Sequence, residues 1–199
     1  MSETASVEQA LPVGSVDHRA SGWYGILCVI ATEGALFGYL LFSYFYYAAQ
    51  LPASWSPEPH PSFAYALPAT IVMLLSSGAL WFAQQGLQRG IEMQHRLGLA
   101  IGIGLGLAFI ALELFEWQSK PFSLTSGLYS SIYFTAAGLD LLHLGFGIVG
   151  VAAVLVWSLL GYVDARRDAP TVIMAAYWHF VTAVWLAVFV TFYISPYLR

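Results

Sequence analysis

A chain of 199 residues in which 59% are hydrophobic and only 9% charged lies far from the roughly one-quarter charged composition of a water-soluble domain. With a mean hydropathy of +0.70, it reads as an integral membrane protein. The net charge of −4 and the scatter of the basic residues exclude a nucleic-acid surface or a polybasic patch. A single cysteine, Cys28, excludes an intrachain disulfide and a thiolate-rich metal site, and within its apolar run it reads as a small buried hydrophobe.

Residues 1–20 are polar, partly acidic and without periodicity, and are predicted to form a cytoplasmic tail. They lack the basic segment and apolar core of a cleavable signal peptide, so the first hydrophobic run is expected to direct insertion. That run covers 22–48 and carries Glu33. The connection after it, 51–61, holds Pro52, Pro57, Pro59 and Pro61, which forbid a helix, and Trp55 is expected to rest on the lipid interface. A second run covers 63–83, with Pro68 near its start and an end near Gly86. The third, 97–117, opens with Gly98, Gly102 and Gly106 at every fourth position, a spacing that lets another helix backbone approach closely. Its far end carries Glu113, Glu116 and Trp117. The fourth, 128–160, is longer than ~30 Å of hydrocarbon requires, so it is expected to tilt or to project into the cytoplasm. It carries Asp140 and His143, which with Gly147 share one helix face. The fifth, 172–194, contains Tyr177-Trp178-His179-Phe180. The predicted fold is therefore all-α, one domain over 21–199 built as a bundle of five transmembrane helices, with no repeat that suggests the inverted halves of a transporter.

Arg19, Arg89, Arg96, Arg166 and Arg167 flank one side of these spans, and only Lys120 and Arg199 the other. The positive-inside rule predicts a cytoplasmic N-terminus and a periplasmic C-terminus, in a bacterial plasma (inner) membrane. Counted at ~1.5 Å per residue, Glu33 falls about 16 Å, His179 about 12 Å, Asp140 about 10 Å and His143 about 6 Å from the inner face. The four are expected to form one interior polar layer facing protons, oxygen or lipid. Burial disfavours a charged carboxylate, so Glu33 and Asp140 are expected to be protonated at neutral pH unless a cation or several donors compensate, such as His143 or an arginine of a partner subunit. The simplest alternative is that the four only tie helices together through hydrogen bonds. Glu113 and Glu116, about 24 and 28 Å from the inner face, are expected to meet interfacial water or a partner. Trp23, Tyr24, Trp81, Trp117, Tyr193 and Tyr197 read as interfacial belts.

The inventory limits the chemistry. Of the histidines 18, 60, 95, 143 and 179, only His143 and His179 fall in the spans. A haem-copper or dicopper centre needs more histidine or paired cysteine ligands than that. A single haem between His143 and His179 is the geometric exception, and no phosphate loop or hydrolase triad is present. No cofactor or metal is therefore expected on this chain, which reads as a helper within a larger membrane complex.

Several motifs in chain order resemble subunit III of the haem-copper respiratory oxidases. Glu33 with Phe37 and Ser43-Tyr44-Phe45 is similar to that family's Glu-bearing helix. Leu67-Pro68, Thr70 and Leu74-Leu75-Ser76-Ser77 resemble the run that follows it. Glu116-Trp117 and Phe122 match its Glu-aromatic signature, and Tyr129-Ser130-Ser131, Phe134, Gly138 and His143 its penultimate helix. Tyr177-Trp178-His179-Phe180-Val181 with Val184-Trp185 resembles the last helix most closely. Asp140 stands where the family usually has a histidine, and Thr182 where it has an aspartate.

The resemblance implies the short, five-helix form of the family. It further implies a non-redox accessory subunit that binds catalytic subunit I, with subunit II and in some complexes subunit IV, and that orders phospholipids. It would support oxygen reduction to water by aiding proton uptake or oxygen access. Haem and copper are then expected in the partner subunits, with cytochrome c or quinol as electron donor. An accessory protein of a nitric oxide reductase, an independent proton or solute carrier, and a purely structural assembly factor stay open as alternatives at this point.

Overall fold

The structure, a computed structural model, describes residues 21–52, 55 and 62–198. The expectations for the tail 1–20, for Pro57, Pro59 and Pro61, for His18 and His60, and for Arg19 and Arg199 lie outside the described residues. Five helices are long and apolar enough to cross a membrane: α1 Ser21–Gln50, α2 Phe63–Gln88, α3 Glu92–Ser119, α4 Leu128–Leu159 and α5 Ala169–Phe189.

Their ends differ from the hydropathy runs where capping, rather than lipid, decides. Helix α2 runs past Gly86 to Gln88, because Gly90 takes φ +71° and lets the N–H groups of Gly90 and Ile91 return to the carbonyls of Leu87 and Gly86. The chain turns at once into α3, which starts five residues before the predicted position of 97. Gly161, at φ +78°, closes α4 in the same way through Gly161 N–H to Ser158 O and Tyr162 N–H to Trp157 O. Helix α5 leaves α geometry earlier than expected: Val190–Ile194 form a wider π turn, closed by the Ser195 N–H on Val190 O, and Ser195–Leu198 a final 3-10 turn. Pro68 is inside α2, one turn beyond its start, where the carbonyl of Ala64 forgoes its usual donor.

Helices α2 and α3 form a close antiparallel hairpin. A Cβ on Gly98 would stand 2.7 Å from Ala83 Cβ and 2.8 Å from the Ala79 carbonyl, so the absent side chain is what admits α2. One turn on, Gly102 faces Leu80, and Gly106 lies under the Trp178 ring of α5, where a Cβ would come within 2.9 Å. The stripe thus seats both α2 and α5.

Helix α5 is held to α2 by polar pins in an apolar setting. The indole N–H of Trp178 donates to Ser76 Oγ and that of Trp185 to Thr70 Oγ1, both at 3.0 Å. Each hydroxyl donates in turn to its own helix, at the carbonyls of Met73 and Ala66. Trp178 and Trp185 are the largest fully buried side chains, with Phe109 edge-on to Trp185 at 4.7 Å.

Helix α1 is marginal to this bundle. It rests on α4 and α5 through Phe37 and Tyr44, and most of its remaining surface faces outward. Cys28 belongs to that outward surface, contrary to the expectation of a buried hydrophobe. Trp55 packs its ring on Tyr44 and Tyr129 at 5.3 and 5.6 Å.

Candidate functional site

The polar residues of the spans sort into three groups rather than one layer. The first joins α1 to α4. His143 Nε2 lies 3.0 Å from Glu33 Oε2, and its Nδ1 lies 2.6 Å from the carbonyl of Leu139 one turn back. A carbonyl only accepts, so Nδ1 carries a hydrogen. The proton between Nε2 and the carboxyl is then held by either partner, as imidazolium with carboxylate or as neutral imidazole with carboxylic acid. Phe37, one turn along α1, sets its ring edge-on to the imidazole at 5.3 Å, and the Tyr177 hydroxyl donates to the backbone carbonyl of His143 at 3.0 Å. His143 is mostly covered, with 11% of its side chain exposed, whereas Glu33 keeps 32%. The pair is therefore reachable from outside the chain on the carboxylate side.

This contact corrects the depths counted from sequence, which set Glu33 and His143 about 10 Å apart. Helix α4 stays helical to Leu159, so His143 lies about 24 Å from its far end, and Glu33 about 18 Å from the start of α1. The run 128–160 predicted for α4 ends within one residue of this helix, so the error lay in the depth assigned to the inner face within it and not in the helix end.

His179 belongs to a second group. Its Nδ1 lies 2.6 Å from Ser77 Oγ of α2, one residue beyond the serine that receives Trp178. The structure does not bring it to Glu33 or His143.

The third group lies further along α3, toward the end that carries Lys120. Glu113, at 0% exposure, and Glu116, at 2%, are fully covered by the chain itself. This overturns the expectation that they meet interfacial water: α4 and the π turn after α5 close over them. Glu116 Oε1 accepts from the Tyr193 hydroxyl at 2.6 Å and pairs with Lys120 Nζ at 2.7 Å. Tyr193 also bonds Tyr133 at 2.9 Å, and the Lys120 ammonium lies 5.0 and 5.1 Å from the centres of those two rings. Tyr193, predicted as an interfacial residue, is thus part of the interior. Asp140 of α4 is 1% exposed, and neither of its carboxyl oxygens has a hydrogen-bond partner.

Among the described residues, no three His, Cys, Asp or Glu side chains come together in a way that could hold a metal ion. Sequence reasoning missed Thr70, Ser76 and Ser77 as polar partners. Their signal was the placement of hydroxyls on α2 opposite Trp178, His179 and Trp185 on α5.

The fold and these sites define a polytopic helical membrane protein whose interior polar groups pair across its helices. Comparison with known proteins then identifies its kind. The family profile described as "Cytochrome c oxidase subunit III" matches residues 17–197. The cytochrome c oxidase subunit 3 of Cyprinus carpio is 31% identical over 179 residues, spanning 85% of this chain and 68% of the relative. That of Scyliorhinus canicula is 30% identical over the same spans. The Synechocystis sp. protein of the same name is 27% identical over 185 residues, 91% of this chain and 78% of its own. The chain belongs to the cytochrome c oxidase subunit III family, the accessory third subunit of haem-copper oxidases.

Proposed function

We propose that this subunit sits beside a haem- and copper-bearing catalytic subunit I, together with subunit II and in some assemblies subunit IV, in a bacterial inner membrane. There it aids delivery of protons or oxygen to oxygen reduction. The observation that carries the reading is the Glu33–His143 pair: a carboxyl and an imidazole 3.0 Å apart, at the margin between α1 and α4, with the carboxyl side accessible. A partly accessible pair of this kind takes a proton from outside the chain and releases it again without unfolding the bundle. The largely uncovered surface of α1 is suited to phospholipid, whose acyl chains match its apolar side chains. Oxygen rather than nitric oxide as the substrate of the complex is supported by the names of the relatives, which are cytochrome c oxidase subunits. The N-terminus would be cytoplasmic, by the bias of arginines. The electron donor, cytochrome c or quinol, would bind elsewhere in the complex, and this chain would carry no redox group of its own.

Purification from native membranes through a tag on this chain tests the assembly. Co-isolation of a large subunit with haem and copper is the expected result. Isolation of this chain without any haem-bearing partner would overturn it.

A further inference from the structure

His179 stands apart from the Glu33–His143 pair, at the seam of α2 and α5. The inner side of that seam is closed by the bond from Trp178 to Ser76, and next to it His179 Nδ1 meets the Ser77 hydroxyl at 2.6 Å. Both His179 and Ser77 are only partly covered. Among the described residues the Ser77 hydroxyl has no second hydrogen-bond partner, and His179 Nε2 has none at all and is not closed off within the chain. A serine hydrogen with no other acceptor goes to Nδ1, so the neutral ring carries its own hydrogen on Nε2. Protonation of the ring leaves that hydrogen in place. His179 therefore presents an N–H outward at Nε2.

The depth of this donor restricts what receives it. Ser77 lies fourteen residues from Phe63 and eleven from Gln88 along α2, about 21 and about 17 Å from the two helix ends. His179, in hydrogen-bond contact with it, is at the same level, near the middle of ~30 Å of hydrocarbon. Lipid offers only acyl chains there, and an N–H without an acceptor is costly in such surroundings. The acceptor has to come from protein. A second copy of this chain packed symmetrically on the same face would bring its own Nε2–H, a donor against a donor. The neighbouring surface suits a helix of another chain: Ala183 and Ala187, four and eight residues beyond His179, are exposed and small, and the exposed Leu74 and Trp81 flank Ser77 on α2.

We propose that the α2–α5 seam is a docking face for a transmembrane helix of a different chain, which accepts a hydrogen bond from His179 Nε2 through a polar side chain at mid-membrane depth. The inference needs a neighbouring chain, but neither its haem nor the proton role of Glu33–His143.

The test places a photoreactive side chain at the rim of the face, Trp81→p-benzoylphenylalanine, in the full chain within native membranes. Irradiation and mass spectrometry then identify what is attached. The expected product is a peptide from a transmembrane segment of another polypeptide that carries an Asp, Glu, Asn, Gln, Ser or Thr side chain. Adding His179→Leu, which has no donor, is expected to lose most of that product, whereas His179→Gln, which keeps an N–H, retains it. If His179→Leu fails to accumulate, the attached segment and its polar residue decide the matter alone. Adducts with phospholipid only, with a second copy of this chain, or with a wholly apolar segment would overturn the proposal, as would equal yields from accumulated His179→Leu and His179→Gln. Capture of a polar helix from a chain without haem would uphold this face while failing the oxidase assembly. Lipid adducts alone in an intact haem-bearing complex would fail only this face.

Discussion

Replacing the interior glycines of α3 by alanine, one at a time, separates close helix approach from helix propensity. At Gly98 the new methyl group would stand 2.7 Å from Ala83 Cβ and 2.8 Å from both Ala83 Cα and the Ala79 carbonyl, so backbone, not just a side chain, has to retreat. At Gly104 the same methyl group meets nothing within 4 Å. Each substitution gains the same helix propensity, up to about 1 kcal/mol, and this cancels in the difference. What remains is the overpacking cost of about 1 to 3 kcal/mol, so Gly98→Ala is expected to be less stable than Gly104→Ala by that amount. Gly106→Ala, pressed at 2.9 Å on the buried Trp178 ring, is expected to lie close to Gly98→Ala. Gly102→Ala should lie between, since it meets chiefly the Leu80 side chain. Reversible unfolding in mixed detergent micelles, followed by circular dichroism, measures the series. Equal stability of Gly98→Ala and Gly104→Ala would refute the claim that these glycines set the α2–α3 spacing.

Other consequences concern the polar pins and the surface. Ser76→Ala leaves the Trp178 indole N–H buried without an acceptor, and is expected to cost about 1 to 3 kcal/mol. Combining it with Trp178→Phe in a double-mutant cycle should recover part of that loss, and strict additivity would show that the bond contributes nothing. In the loop after α4, the Arg167 side chain foremost, with the backbone N–H groups of Arg166 and Arg167, holds the Asp164 carboxyl below the usual aspartate range. A carboxyl depressed in the folded state stabilises in full above its unfolded value of about 4 and loses that contribution as pH falls through the folded value. Because the pair is solvent-exposed, less than about 1 kcal/mol is involved. An NMR titration of the Asp164 carboxyl carbon with a midpoint at or above that of an unfolded aspartate would contradict the assignment.

The five helices were legible because a bilayer needs ~20 apolar residues in a row, and each run satisfied that. The junction of α2 and α3 was not, since Gly90 acts through positive φ in a turn outside the hydrophobic stretch, whereas α4 ends within one residue of its run. Glu33, His143 and Asp140 stood out as ionisable groups in apolar surroundings, yet which meets which depends on how deep α4 sits and how α1 leans on it. Neither follows from residue spacing. The burial of Glu113 and Glu116 was hidden for a different reason: an acid near the end of a span looks solvated until the π turn after α5 brings Tyr193 over it. The glycine spacing of α3, by contrast, carried its meaning directly, because absence of a side chain has one packing consequence. The order of the motifs disclosed the family, although no single one defined a site.

The proposed passage of protons through the Glu33–His143 pair to the chemistry of a larger complex is removed by Glu33→Gln. Glutamine keeps the shape and a hydrogen bond to His143 but cannot release a proton. In the assembled, purified oxidase, oxygen consumption by the variant should fall increasingly behind the unaltered complex as pH rises and protons become scarce, with subunit and haem content unchanged. Superimposable pH–rate profiles for the two complexes would contradict the claim.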